Sequence, residues 1–203
     1  MKSILYSIAI ILSFLTLQSC TKIVDGCTDP MASNYQASAN NDDGSCIYLY
    51  LGQSFQGGVV GYFFKEGDAG YDASVLHGLI VAPATIFTDK WGCIGDSVGT
   101  ATAFGTGDQN TAAIVNACAD SGTAAKYCND LVISDYSDWY LPSRDELLKL
   151  YANRTSIGGF SSSYYWTSSE NSANQVICIH MNSGNALNIN KDSTLKVRAI
   201  RRF

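Results

Sequence analysis

The feature that most limits what this chain can fold into is its cysteine set. Seven cysteines are spread over 203 residues: Cys20, Cys27, Cys46, Cys93, Cys118, Cys128 and Cys178. What they mean depends on the compartment, and the N-terminus speaks to that. Lys2 precedes an apolar run from Ile4 to Leu17, too short to span a bilayer comfortably, and small residues lead into Cys20. This is the pattern of a secretory signal. An exported chain meets an oxidising environment, where disulfides form and persist. Setting Cys20 aside leaves an even six, which reads as a disulfide framework. Cys27 and Cys46 bracket one short segment and are expected to pair. The other four could join as Cys93 with Cys118 and Cys128 with Cys178, a choice that the spacing leaves open. No Cys-x-x-Cys occurs, so neither a thiol oxidoreductase nor a zinc knuckle has support.

The tetrad Leu17-Gln18-Ser19-Cys20 resembles the bacterial lipobox, in which the cysteine becomes the lipid-bearing first residue of the mature protein. It implies removal of residues 1–19, lipidation of Cys20 and attachment to a membrane by lipid alone. The expected location is the cell envelope, as an outer-membrane lipoprotein facing either the periplasm or the exterior. The alternative is an ordinary signal peptide that leaves Cys20 as a spare thiol. With a net charge of −5 and no basic stripe, the chain is not suited to nucleic acid as a partner.

After a linker over residues 20–26, residues 27–48 form a separate module rich in Asn, Asp and Ser and poor in aliphatics. Such a piece cannot bury enough apolar surface to fold unaided, so a disulfide is needed to hold it. It resembles the short Cys-Thr-Asp-Pro…Asp-Asp-Gly-Ser-Cys modules of secreted bacterial proteins, which implies a stalk or collar. Asn40, Asp42 and Asp43 carry the hard oxygens that calcium prefers. The plainer reading is a turn that presents Cys46 to Cys27. No cofactor is required by anything in the sequence.

Residues 49–203 read as one domain. "GGVVGYFF" and "GLIVAP" have strand composition, Phe87 to Gln109 reads as loop, and "NTAAIVNACADSG" reads as a helix capped at Asn110 or Thr111. "YYWTSS", "NQVICIHM", "ALNIN" and "LKVRAIRRF" read as strands, with a hairpin turn in "MNSGNA". The order gives an α+β domain with two helical regions and a C-terminal antiparallel meander.

The stretch "SDWYLPSRDELLKLYANR" concentrates a serine, an arginine and two acids at Ser143 to Glu146. Ser143 followed three residues later by Glu146 is a capping box. Asp145 and Glu146 suit the positive end of the helix dipole, and Leu147, Leu150 and Tyr151 follow at helical spacing. As a nucleophile Ser143 lacks a base close in sequence, since the two histidines are His77 and His180.

Together "GTGDQNTAAIV", "SDWYLPSRDELLKLYANR", "IGGF", "YYWTSSE" and "VRAIRRF" resemble, in that order, the Lcl C-terminal domain family. The resemblance covers roughly residues 55–203. It implies a C-type-lectin-like fold, related to the FISUMP major paralogous domains and to formylglycine-generating proteins. In the adhesin behind the family name, the domain contributes to binding sulfated polysaccharides, a ligand that the acidic balance here disfavours. Trp139, Pro142, Ser143, Glu146, Trp166, Glu170 and Arg198 fall on the family signature and read as fold-holding, with Arg198 expected to pair with Glu146 or Glu170.

The resulting expectation is a non-enzymatic envelope lipoprotein that binds glycan or a surface protein. Candidate contacts are Tyr164, Tyr165, Asn171, Asn174, Asn182, Asn185 and Asn188, because aromatic faces stack on sugar rings and amides satisfy hydroxyls. Two other classes stay open: a structural envelope protein without a soluble ligand, and an enzyme of the formylglycine-generating kind, which would need a reactive cysteine pair.

Overall fold

The computed structural model describes residues 21–84, 87–118 and 120–203. The signal segment 1–19 and Cys20, with its expected lipid, lie outside the described residues. In chain order the strands are β1 (Asp25–Gly26), β2 (Asn41–Asp42), β3 (Ser54–Phe55), β4 (Gly58–Phe63), β5 (Gly78–Val81) and β6 (Phe87–Asp89). The helices of the described residues follow: α1 (Gly107–Ala117), α2 (Ala124–Asn129), α3 (Arg144–Ala152) and α4 (Arg154–Ile157). The chain ends with β7 (Tyr164–Ser172), β8 (Gln175–His180), β9 (Ala186–Asn190), β10 (Leu195–Val197) and β11 (Ile200–Arg202). The architecture is mixed α and β, with sheets dominant.

β1 and β2 pair in parallel beside the Cys27–Cys46 disulfide, which closes the N-terminal segment. The main body has two sheets, one ordered β6-β10-β7-β8-β9 and the other β11-β5-β4-β3. β7 is central and covered on both faces. Its Trp166 joins a cluster with Trp91, Val176 and Cys178, and its Tyr165 joins another with Leu147, Leu150 and Ile200. Apolar residues on both sides of β7 and β8 are what a doubly covered strand requires.

Three local expectations change. "LKVRAIRRF" is not one strand of a meander, because it breaks at Arg198 and Ala199. β10 lies parallel to β7 and β11 leaves for the other sheet, so only β7, β8 and β9 form the antiparallel meander. α1 begins at Gly107, with Thr106 at its cap position. Asn110 and Thr111 do not cap it; they lie inside the helix and tie it to other segments. Asn110 Nδ2 donates to Ala101 O (2.7 Å) while its Oδ1 accepts from Ala101 N (2.9 Å). Thr111 Oγ1 donates to Gly107 O (2.7 Å) and accepts from Leu141 N (3.0 Å).

The third change concerns the cysteines. Cys93 is bonded to Cys118, but Cys128 and Cys178 are free and buried. Cys128 sits on α2 and Cys178 on β8, each packed among apolar core residues, where a thiol behaves as a small hydrophobe. Burial pushes both thiols far above the ordinary cysteine range.

Candidate functional site

The long segment between β6 and α1 is held by a buried ion pair. Lys191, fully buried, directs its ammonium to Glu170 and donates to Asp96 O (2.7 Å) and Cys93 O (3.2 Å), 4.6 Å from the centre of the Trp91 ring. Glu170 also accepts from the N–H groups of Val98 (3.0 Å) and Gly99 (2.8 Å) and from the Ser97 hydroxyl (3.0 Å). A carboxylate and two carbonyls thus gather around one internal cation. Burial opposes the charge on Glu170, but Lys191 and the Gly99 and Val98 N–H groups outweigh it and hold the carboxyl below its ordinary value.

The helix start at Ser143 is a complete capping box. Ser143 Oγ accepts from Glu146 N (3.3 Å), and Ser143 N donates to Glu146 Oε2 (2.8 Å). Glu146 is fully buried and also accepts from the Tyr140 hydroxyl (3.2 Å), with Arg202 Nη2 at 3.9 Å. Burial raises its pKa, and the Ser143 bonds, Arg202 and Tyr140 only partly offset that. Gly107 packs against the same carboxylate: a Cβ there would stand 2.3 Å from Glu146 Oε2. Ser143 has no base. His77 Nδ1 lies 3.1 Å from Phe203 O, and His180 Nδ1 lies 3.2 Å from the Ser183 hydroxyl. Arg198 pairs with neither expected acid. At the crossing between sheets it donates to Ala82 O and Gly158 O (2.9 Å each) and covers the Phe160 ring at 4.4 Å, an arrangement that satisfies a buried guanidinium through carbonyls.

The expected sugar contacts do not form one site. Tyr165 is buried, because β7 is covered on both faces, and its hydroxyl accepts from Ser161 N (3.1 Å). Tyr164 is half-buried against His180, with ring centres 4.7 Å apart. The asparagines are exposed but scattered. Asn171 and Asn174 lie at one end of β8, Asn182 and Asn185 at the other, roughly 17 Å away at the rise of a strand, and Asn188 is on the edge strand β9. In the N-terminal module, Asn40 spends both side-chain atoms on the backbone of Val24 and Lys22. Asp42 and Asp43 each accept from the N–H two residues on. Among the described residues no group of three His, Cys, Asp or Glu is arranged to hold a metal.

A better-formed site lies between β6 and α2. A cleft of about 310 Å³ is lined by Phe87, Asp89, Thr123, Lys126, Tyr127 and Leu131, among others. Phe87 and Tyr127 stack face to face, with centroids 4.0 Å apart and planes within 2°. Thr123 caps α2 by accepting from Lys126 N (3.1 Å), and Lys126 is neutralised by Asp130 one turn on. Asp89 is positioned from behind, because Trp166 Nε1 donates to its carbonyl (2.7 Å) while its Oδ1 accepts from Lys90 N (2.7 Å). Burial raises the Tyr127 pKa, so its hydroxyl stays a donor at neutral pH. Neither that hydroxyl nor Asp89 Oδ2 has a hydrogen-bond partner among the described residues. Nothing local in the sequence marks these residues, since Phe87 falls in a stretch that reads as loop and Tyr127 in a short helix.

The family model described as the Lcl C-terminal domain matches residues 97–201, just over half of the chain. The chain belongs to the Lcl C-terminal domain family. The matched part of this Lcl C-terminal domain runs from the Glu170-bound loop through the capping box to β11, and so includes α2 but not β6. A fimbrial protein from Bacteroides ovatus is similar in fold, with a TM-score of 0.54 and 14% identity over 82% of this chain and 50% of that one. A short match of 28 residues, 54% identical, is to a chloroplastic ribulose bisphosphate carboxylase/oxygenase activase of Larrea tridentata. It takes in 14% of this chain and 6% of the activase.

Proposed function

We propose that this Lcl C-terminal domain protein is a non-catalytic, lipid-anchored component of the cell envelope, of C-type-lectin-like type, that binds glycan in adhesion or capture. The observation that carries the reading is the cleft between β6 and α2. It combines an aromatic wall of Phe87 and Tyr127 with two unengaged polar groups, the Tyr127 hydroxyl and Asp89 Oδ2. Its volume falls at the lower end of ligand sites, which run from about 300 Å³. An apolar ring face with hydroxyls at its edge is the chemistry such a lining accepts.

The charge of the lining narrows the sugar. Asp89 and Asp130 face one lysine, and that lysine is already paired, so sulfated and uronic units would be repelled while neutral or amino-bearing hexoses would not. Catalysis has less support. The free thiols are buried and held protonated, whereas reactive cysteines are accessible thiolates.

The test is a glycan array probed with the full chain, wild type and Tyr127→Ala, with and without chelator. Binding to neutral or amino sugars that falls about tenfold in Tyr127→Ala, equivalent to ~1.4 kcal/mol, is expected, without chelator sensitivity. Unchanged binding by Tyr127→Ala would remove the cleft from the account. No binding by the wild type would favour a structural envelope role.

A further inference from the structure

We propose that β9 is a self-pairing edge, through which two copies of this chain join antiparallel into one continuous sheet. Among the described residues the two main sheets have four edge strands, and three are short or covered. β3 has two residues, β6 has three and carries Asp89, and β11 is bridged by Tyr140 through reciprocal bonds with Ile200 (2.8 and 2.9 Å). β9 has five residues and carries no charge and no proline. Proteins usually blunt an open edge with such residues.

The register shows which groups face outward. His180 N donates to Asn185 O and Lys191 N donates to Asn174 O. These two pairs bracket the β8–β9 ladder of Gln175 with Asn190 through Ile179 with Ala186. Bonded and non-bonded pairs alternate in an antiparallel ladder. Leu187 and Ile189 therefore bond inward to β8, and the N–H and C=O groups of Ala186, Asn188 and Asn190 point outward. Among the described residues, the one bond these outward groups make outside the β8–β9 ladder is from Ser193 N to Asn190 O, and a carbonyl can accept a second.

The edge is complementary to itself. With a two-fold axis at Asn188, Asn188 faces Asn188 of the second copy and Ala186 faces Asn190, all with their outward groups opposed. Leu187 then packs on Ile189 across a non-bonded pair, where side chains are closer. Leu187 lies on the core side of the sheet, in register with buried Cys178, yet is 48% exposed, so pairing would cover an apolar side chain now left open. Charge does not oppose it. The Lys191 ammonium is internal to Glu170, and Asp192 would fall opposite Gly184. A five-residue strand pair buries less than the roughly 1,200 Å² typical of stable complexes, so the dimer is weak and forms where copies are concentrated on a surface.

The experiment places single cysteines in the full chain, expressed in intact cells, and treats them with a short bismaleimide. Asn188→Cys is expected to give a dimer of twice the chain mass. Ala186→Cys and Asn190→Cys are expected to give at least about fivefold less, because each would lie about 13 Å from its own copy at the rise of a strand. Adding Leu187→Lys to Asn188→Cys should abolish the dimer while the thermal unfolding midpoint holds. The proposal is overturned by no dimer at position 188, by equal yield at all three positions, or by an adduct of another mass alone.

Discussion

Replacing Lys191 by methionine keeps the length and apolar stem of the side chain and removes the charge. The wild-type ammonium is fully buried and meets Glu170, Cys93 O and Asp96 O, so Lys191→Met leaves a carboxylate and two carbonyls facing a thioether. Breaking a buried pair by removing one partner typically costs about 3–5 kcal/mol. Glu170 keeps its bonds from Ser97, Val98 and Gly99, which places the loss near the lower end, ~3 kcal/mol at pH 7. The pH dependence has a definite sign. The Glu170 carboxyl is held below its ordinary value in the folded protein, so its stabilisation is full above the unfolded value of about 4.3 and is lost as pH falls through the lower folded value. In the variant no ammonium holds the carboxyl down. The difference between the two proteins therefore shrinks in acid. Urea unfolding followed by tryptophan fluorescence, with Trp91 4.6 Å from the ammonium, measures this at pH 7 and in acid well below the carboxylate range. A loss under about 1 kcal/mol at pH 7, or a loss that does not change with pH, would refute the assignment of Lys191 and Glu170 as the clamp on this loop.

Two further outcomes follow from the same geometry. Ser143→Ala should lower unfolding free energy by about 1 kcal/mol in denaturant titration, since the Glu146 N–H loses its acceptor while Ser143 N keeps its bond to Glu146. Thiol titration of the cysteines from Cys27 onward should find no reactive thiol in the native protein and two after unfolding without reductant, Cys128 and Cys178. Two thiols reactive in the native state would instead revive an enzymatic reading.

Much of this fold is legible in the sequence wherever the deciding interaction is local. The capping box needs three residues of chain, the Cys27–Cys46 closure needs one polar segment too poor in aliphatics to hold itself, and the strands of β4, β5, β7, β8 and β9 show in branched and aromatic runs. A hydrogen bond to a backbone group a few residues away is fixed by helix and turn geometry, whatever the rest of the molecule does.

The misreadings share the opposite cause. Asn110 and Thr111 have the composition of caps, but their side chains are taken by Ala101 and Leu141. Tyr165 looks like a sugar contact until sheet order places β7 in the middle. Arg198 looks like an ion-pair partner until the chain turns between two sheets there and offers carbonyls instead.

The sequence by itself determined a disulfide-closed module and the signature of the Lcl C-terminal domain. Only the tertiary structure decided which of the described cysteines stay free, that Lys191 is an internal cation of the long loop, that Phe87 and Tyr127 form one wall of a cleft, and that β9 is an open edge among the described residues. These depend on partners distant in the chain, as with Lys191 and Cys93, 98 residues apart. Such partners are chosen by packing and sheet order, for which a linear pattern of residue types carries no signal.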